Sequence, residues 1–334
     1  MQALMPWIIF VVTGAIMVVA ANKLAEYGDV IAVRTGLGGM LVGTILLAGS
    51  TSLPEIMTSV TSFRLGAPEL AAGNFFGSNM VNMALLAIVD MINYQVPVLR
   101  TQAINQTLTA ALAALLIVVA TLFLLADLNI MVGWIGLGSL VLILFYFAGL
   151  WLLRRESAAD RMMGVPQPKP GPEFPSLRRG LIGFAIAAGV ILLVVPPMVQ
   201  ATNDIAEMTG LGQSFAGIAL LGIVTSLPEL LSALAAIRIG ATELAVGNLF
   251  GSNAFNMFAV GLVDFLYVGG SFLDSISNEF ALVNIIGLLM VLMAMLANLS
   301  RIERRVLFLE LDALAILIVY LLGMYLIYMR GIGI

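Results

Sequence analysis

Neither cysteine nor histidine occurs among the 334 residues. Without thiolate or imidazole there is no zinc site of the ordinary kind, no cysteine nucleophile and no histidine base. Cysteine usage is silent on redox compartment. Any metal ion this chain holds must be held by oxygen, which favours hard cations such as Na+, Mg2+ and Ca2+. Charge is scarce as well: 10% of residues are charged, against about 25% in soluble domains. The formal net charge of −4 offers no basic surface to a nucleic acid, so no nucleic-acid partner is expected. No nucleophile–base pair is visible, which speaks against an intramembrane enzyme. No cofactor and no obligatory protein partner are expected either.

Apolar residues fill the space that charge leaves. They make up 61% of the chain, and the mean hydropathy is +1.08. Such a chain cannot hide its surface from water in one globule, so the lipid bilayer is its expected surroundings. Ten apolar stretches are long enough to cross a membrane: 5–25, 37–62, 70–92, 104–126, 130–153, 180–200, 211–237, 244–266, 279–299 and 308–329. The first has no basic start of the signal-peptide kind and reads as a retained span. One polar, proline-rich segment interrupts the series. Three regions follow: an N-terminal five-helix half at 1–153, a linker at 154–179 and a C-terminal five-helix half at 180–334.

Basic residues orient the spans. With the linker in the cytoplasm, 13 of the 15 Lys and Arg residues fall on the cytoplasmic side, and only Arg64 and Arg330 lie outside. The expectation is a multi-pass protein of the cell (inner) membrane with both termini extracytoplasmic.

An internal repeat organises the chain. Residues 35–90 align without a gap on residues 209–264, at a constant offset of 174, with about half the positions identical. The first copy carries Thr51-Ser-Leu-Pro-Glu55 and Gly73-Asn-Phe-Phe-Gly-Ser-Asn79 followed by Asn82. The second carries Thr225-Ser-Leu-Pro-Glu229 and Gly247-Asn-Leu-Phe-Gly-Ser-Asn253 followed by Asn256. Chance likeness of two apolar helices would preserve Leu and Val, not these polar residues and prolines. Five spans separate the copies, so the second enters the membrane from the opposite side. The expected fold is an all-α membrane protein of ten transmembrane helices in two inverted five-helix repeats, with its site where the halves meet.

The chemistry sits in the repeats. Thr51 and Ser52 precede Glu55 by four and three positions and share its helix face, as Thr225 and Ser226 do with Glu229. Pro54 and Pro228 each remove a backbone donor, which deprives the carbonyls of Ser50 and Val224 of their usual partners. Broken backbone at membrane depth persists only where protein or a cavity satisfies it. Hydroxyls, carboxylates and carbonyls together suit a cation. Asn74, Ser78 and Asn82 form a polar stripe at four-residue spacing, matched by Asn248, Ser252 and Asn256. Gly73/Gly77 and Gly247/Gly251 read as packing positions that permit close helix approach. A carboxylate at the bilayer centre costs at least about 2.5–3.5 kcal/mol, and neither Glu55 nor Glu229 has a basic residue at its depth in its own span. A divalent cation would neutralise both. Glu69 and Glu243 are expected to serve helix N-termini, and Asp90 and Asp264 to be solvated at helix ends.

At these residues the sequence resembles the cation/Ca2+ antiporter superfamily, specifically its sodium/calcium exchangers of prokaryotic type. The resemblance spans both repeats and the five-plus-five layout. It implies that Glu55 and Glu229 are the central Ca2+ ligands. It further implies metal contacts from Thr51, Ser52, Ser78 and Asn82, from Thr225, Ser226, Ser252 and Asn256, and from the carbonyls of Ala48 and Gly222. Ca2+ and Na+ are then the transported substrates, exchanged by alternating access, with three Na+ per Ca2+ and hence one net charge per cycle. The position of Asn256 is Asp in some members, and Asn in both repeats here, at 82 and 256, favours a K+-independent exchanger. From the residues alone, Ca2+/H+ antiport on the same scaffold stays open. A cation channel fits less well, because filters gather around an oligomer axis and this repeat is self-contained.

Overall fold

Runs of Leu, Val, Ile and Ala that cannot face water form helices, because in lipid every backbone N–H must be bonded within its own segment. The computed structural model describes residues 4–35, 49–93, 99, 104–162, 175–238, 240–300, 305–306 and 309–331. The helices are α1 (Met5–Thr35), α2 (Leu53–Arg64), α3 (Pro68–Ile92), α4 (Ile104–Ala126) and α5 (Leu137–Met162), then α6 (Leu177–Thr209), α7 (Gln213–Ala216), α8 (Gly222–Thr225), α9 (Leu227–Arg238), α10 (Thr242–Asp264), α11 (Phe272–Ser275), α12 (Phe280–Ser300) and α13 (Leu311–Met329). A π-helical segment, Gly217–Leu221, joins α7 to α8. Among the described residues eight helices, counting Gln213–Arg238 as one broken helix, are long and apolar enough to cross a membrane, and the shorter apolar stretch Leu137–Leu153 adds another. The expected span 37–62 is described only from residue 49.

Boundaries differ from the sequence expectation in instructive ways. α1 runs to Thr35, carrying Glu26, Asp29 and Arg34 beyond the apolar stretch. The start of the expected span 130–153 is a β-hairpin, Met131–Val132 paired with Ile135–Gly136, and a second hairpin, Arg305–Val306 with Leu309–Glu310, precedes α13. The expected linker 154–179 gives its first nine residues to α5 and its last three to α6, while residues 163–174 lie outside the described residues.

Both hairpins stand 174 positions apart, the offset of the sequence repeat. So do the starts of α2 and α9, of α3 and α10, and of α5 and α13. The repeat therefore extends over whole halves, into segments where the sequences no longer match.

Contacts between loops establish that the halves are inverted. Phe63, at the end of α2, packs edge-on against Phe272, with centroids 5.0 Å apart. The Phe272 N–H donates to Asp264, the last residue of α10. The start of α3, which follows α2 directly, thus shares a membrane face with the end of α10. Asp90, the equivalent of Asp264, lies 22 residues further along α3, which is roughly 33 Å of helix. Equivalent aspartates occupy opposite faces.

α3 and α10 are buried along most of their length, whereas Leu193 of α6 and Leu321 of α13 are among many large apolar side chains exposed toward lipid. The polar residues are inside: Thr51, Ser52, Glu55, Asn74, Ser78, Thr225, Ser226 and Glu229 are all buried. α3 gets close to the broken span through glycines. A Cβ on Gly73 would lie 2.5 Å from the Ser214 carbonyl oxygen, and one on Gly77 would lie 2.7 Å from the Ile218 Cα. This is the packing role expected of the first glycine pair.

Candidate cation site

Each of the two broken spans is interrupted one residue before its Leu-Pro. Residues 49–51 are helical, Ser52 leaves the helix and α2 begins at Leu53. In the second half α8 ends at Thr225, Ser226 leaves the helix and α9 begins at Leu227. Proline is compatible with a helix's first turn, where no intrahelical donor is required. The break therefore places Glu55 and Glu229 in the first turns of α2 and α9, each helix presenting its positive end to the carboxylate.

Both carboxylates are buried, and each reaches across to the other half. Glu55 lies beside the hydroxyl of Thr225, while Glu229 lies beside the hydroxyls of Thr51 and Ser252. The two carboxylates are near enough to repel one another. Among the described residues no basic side chain pairs with either; the one ion pair is Lys23–Glu26, on α1. One oxygen of each, Glu55 Oε2 and Glu229 Oε2, is buried and has no hydrogen-bond donor.

Oxygens outnumber protons around them. The Thr225 hydroxyl has a single proton, yet it lies 2.9 Å from the Leu221 carbonyl, 2.9 Å from Asn74 Oδ1 and 3.3 Å from Ser78 Oγ, besides its contact with Glu55. The Gly222 carbonyl receives Ser226 Oγ at 2.8 Å and Ser78 Oγ at 3.4 Å. Ser52 Oγ and Ser252 Oγ are buried without a hydrogen-bond partner of standard geometry. A surplus of lone pairs over donors is unfavourable for a dry protein interior and suited to a hard cation with six to eight oxygen ligands.

α3 and α10 cross at four asparagines. The Asn253 amide donates to the Asn79 carbonyl at 3.2 Å, and its Oδ1 accepts from Asn82 Nδ2 at 2.9 Å. Asn256 Nδ2 donates to Asn79 Oδ1 at 3.1 Å. Because a backbone carbonyl can only accept, the Asn253 amide is fixed, and Asn82 must present its NH2 to it. Asn82 Oδ1 and Asn256 Oδ1 are left buried without donors. Asn79 and Asn253 thus act as helix glue that aims the neighbouring amide oxygens. The predicted residues Thr51, Ser52, Glu55, Ser78, Asn82, Gly222, Thr225, Ser226, Glu229, Ser252 and Asn256 are gathered in this region. Ala48 lies outside the described residues.

Two expectations about other acids need revision. Asp90 and Asp264 are buried rather than solvated. The chain folds back over both helix ends and supplies donors: Leu99 N–H to Asp90, and Gly136 N–H and Phe272 N–H to Asp264. Glu69 does occupy the first turn of α3 as expected, and it also bridges the Ser214 hydroxyl and the Ser277 N–H.

The sequence pattern of the family described as sodium/calcium exchanger protein matches residues 5–154 and 179–329, nearly the whole chain. The chain belongs to the sodium/calcium exchanger family. It is accordingly a cation/Ca2+ antiporter and not an enzyme; the ions are substrates and no cofactor is required. Among curated relatives, CaxA of Alkalimonas amylolytica, named as a candidate antiporter, is 28% identical over 256 residues, which is 75% of this chain and 78% of CaxA. Two solved structures share the fold. Native YfkE superposes with a TM-score of 0.69 at 15% identity, covering 96% of this chain and 92% of YfkE. The sodium-calcium exchanger NCX_Mj superposes with a TM-score of 0.60 at 18% identity, covering 97% of this chain and 99% of NCX_Mj. The architecture is the exchanger's ten transmembrane helices in two inverted repeats.

Proposed function

We propose that this exchanger moves Na+ against Ca2+ by alternating access, and that Glu55 and Glu229 hold both ions in turn. The observation that carries this reading is the pair of buried carboxylates, one from each half, meeting without a basic partner amid surplus oxygens. Thr51, Ser52, Ser78, Asn82, Thr225, Ser226, Ser252 and Asn256, with the carbonyls of Ala48 and Gly222, complete the proposed ligand set. Two bare charges in a low-dielectric centre resist crossing; an occupied site is neutralised and can switch. That rule produces exchange rather than leak. Ca2+ alone matches the two negative charges, so a cycle returning three Na+ moves one net charge. Amides at 82 and 256 leave only two acids and no reason to require K+. The family description and the name of NCX_Mj both pair sodium with calcium, which supports Na+ over H+ as the counter-ion. The bias of basic residues supports an inner-membrane location with linker 154–179 cytoplasmic and both termini outside.

The test is isotope uptake of Ca2+ into proteoliposomes under Na+, H+ or K+ gradients imposed one at a time. An outward Na+ gradient at clamped pH should drive uptake and generate a membrane potential. Uptake driven by a proton gradient and indifferent to Na+ would replace this reading with Ca2+/H+ antiport.

A further inference from the structure

The two halves differ most pointedly just beyond the glutamates. After Glu55 the chain reads Thr58, Ser59, Thr61, Ser62; at the equivalent positions after Glu229 it reads Ser232, Ala233, Ala235, Ala236. At 100° per residue, Thr58, Ser59 and Ser62 fall on the Glu55 face of α2 and extend it by two turns toward the membrane face that holds Glu69. The other faces of α2 are accounted for. Ile56 and Phe63 pack on the main core, Leu53 and Met57 pack against the α1–α6 cluster, and Arg64 lies opposite Glu55 and is exposed.

All four hydroxyl residues are buried. Ser59, Thr61 and Ser62 donate to the carbonyls of Glu55, Met57 and Thr58, four residues back, at 2.8–2.9 Å. Such bonds satisfy the proton and leave the oxygen's lone pairs turned outward. Thr58 does not do this: its Oγ1 is fully buried with no hydrogen-bond partner. A hydroxyl stranded in that way, one turn beyond an unpaired carboxylate oxygen, marks a place that water or a cation fills. Packing alone asks for nothing polar at 59, 61 and 62, where the second half has Ala233, Ala235 and Ala236; at 58 it keeps a hydroxyl, Ser232.

We infer that the cation's hydrated route between Glu55 and the Glu69 face runs along Thr58, Ser59 and Ser62, with Thr58 as a transit contact, and that α9 provides no matching route on the opposite face. The inference deepens the proposed function and rests on its assignment of Glu55. The inverted repeat makes the two access paths equivalent in backbone, and the hydroxyls make them unequal in chemistry.

The chain contains no cysteine, so single-cysteine variants need no altered background. Thr58→Cys, Ser62→Cys, Ala233→Cys and Ala236→Cys are each reconstituted and exposed to a membrane-impermeant cationic thiosulfonate, with and without Ca2+. The 58 and 62 variants should be modified from one side only, more slowly when Ca2+ is present, and the 233 and 236 variants should resist. No modification at 58 and 62, or equal modification at 233 and 236, overturns the inference. Thr58→Val, which keeps the shape and removes the oxygen, should lose Ca2+ uptake rate; unchanged uptake in a monodisperse Thr58→Val protein also overturns it. Na+-driven Ca2+ uptake by the unaltered chain in the same vesicles separates the two readings. Its absence defeats the proposed function, whereas its presence with failed labelling defeats only the route.

Discussion

The Thr225 hydroxyl lies beside the Glu55 carboxylate across the boundary between the two inverted halves. The same contact recurs with the halves exchanged, where Thr51 meets Glu229. Each carboxylate is therefore positioned by the break in the other half's span. A movement of either half-helix changes both ends of the site at once, which is what a switch between two accessible states requires.

This reciprocity makes a quantitative prediction. Thr51→Val and Thr225→Val remove one oxygen each without changing volume. Each should weaken apparent Ca2+ affinity by about tenfold, or about 1.4 kcal/mol, and by similar factors because the contacts are equivalent. The check is the Ca2+ dependence of uptake in proteoliposomes. A large effect in one variant with none in the other would break the equivalence.

Glu55→Gln and Glu229→Gln should each abolish Na+-dependent Ca2+ flux. They should not unfold the protein, because removing a buried charge that has no partner leaves stability unchanged or improved. In the unaltered chain a ligand that binds only the folded state raises Tm. Thermal unfolding should therefore shift with added Ca2+ in the unaltered chain and stay fixed in both variants. Full transport activity in either variant would remove that glutamate from the site.

Much of this site is legible in one sequence because the gene carries two copies of it. Thr-Ser-Leu-Pro-Glu and Gly-Asn-x-Phe-Gly-Ser-Asn recur at one offset, and proline beside a buried acid announces a broken helix. What stays hidden depends on contacts made by the backbone or by distant segments. Asp264 looks solvated at a helix end, since nothing local reveals that the N–H of Gly136, 128 residues earlier, will reach it. Residues 130–136 look like the start of a span because Ile130, Met131 and Val132 are apolar, yet Gly133 takes a positive φ and turns the chain into a hairpin. The amide orientation of Asn82 follows, through Asn253, from the Asn79 carbonyl, which spacing cannot foresee.

Acid should inhibit transport by competition. A proton on Glu55 or Glu229 occupies a lone pair and removes the charge that a cation needs, so lowering pH from neutral should raise the Ca2+ concentration required for half-maximal uptake. The two carboxylates titrate as a pair, and the profile should be broader than that of a single group. Saturating Ca2+ should restore the maximal rate. Inhibition that extra Ca2+ cannot relieve would place the sensitive group elsewhere.

Asp264 offers the contrasting case, a buried acid that serves the scaffold. Its two oxygens accept separately from Phe272 N–H and from Gly136 N–H, the latter at 2.8 Å, tying α10 to the hairpin before α5 and to α11. Asp264→Asn turns an NH2 toward one of those donors and leaves a buried N–H unpaired, which costs about 1–3 kcal/mol. The expected result is a lower Tm in detergent with half-saturating Ca2+ unchanged in the folded fraction. This is the reverse of the glutamate variants, which lose transport and keep stability. If Asp264→Asn instead lost Ca2+ binding at full stability, the carboxylate would belong to the ion's path and not to the clasp that closes this end of the helix.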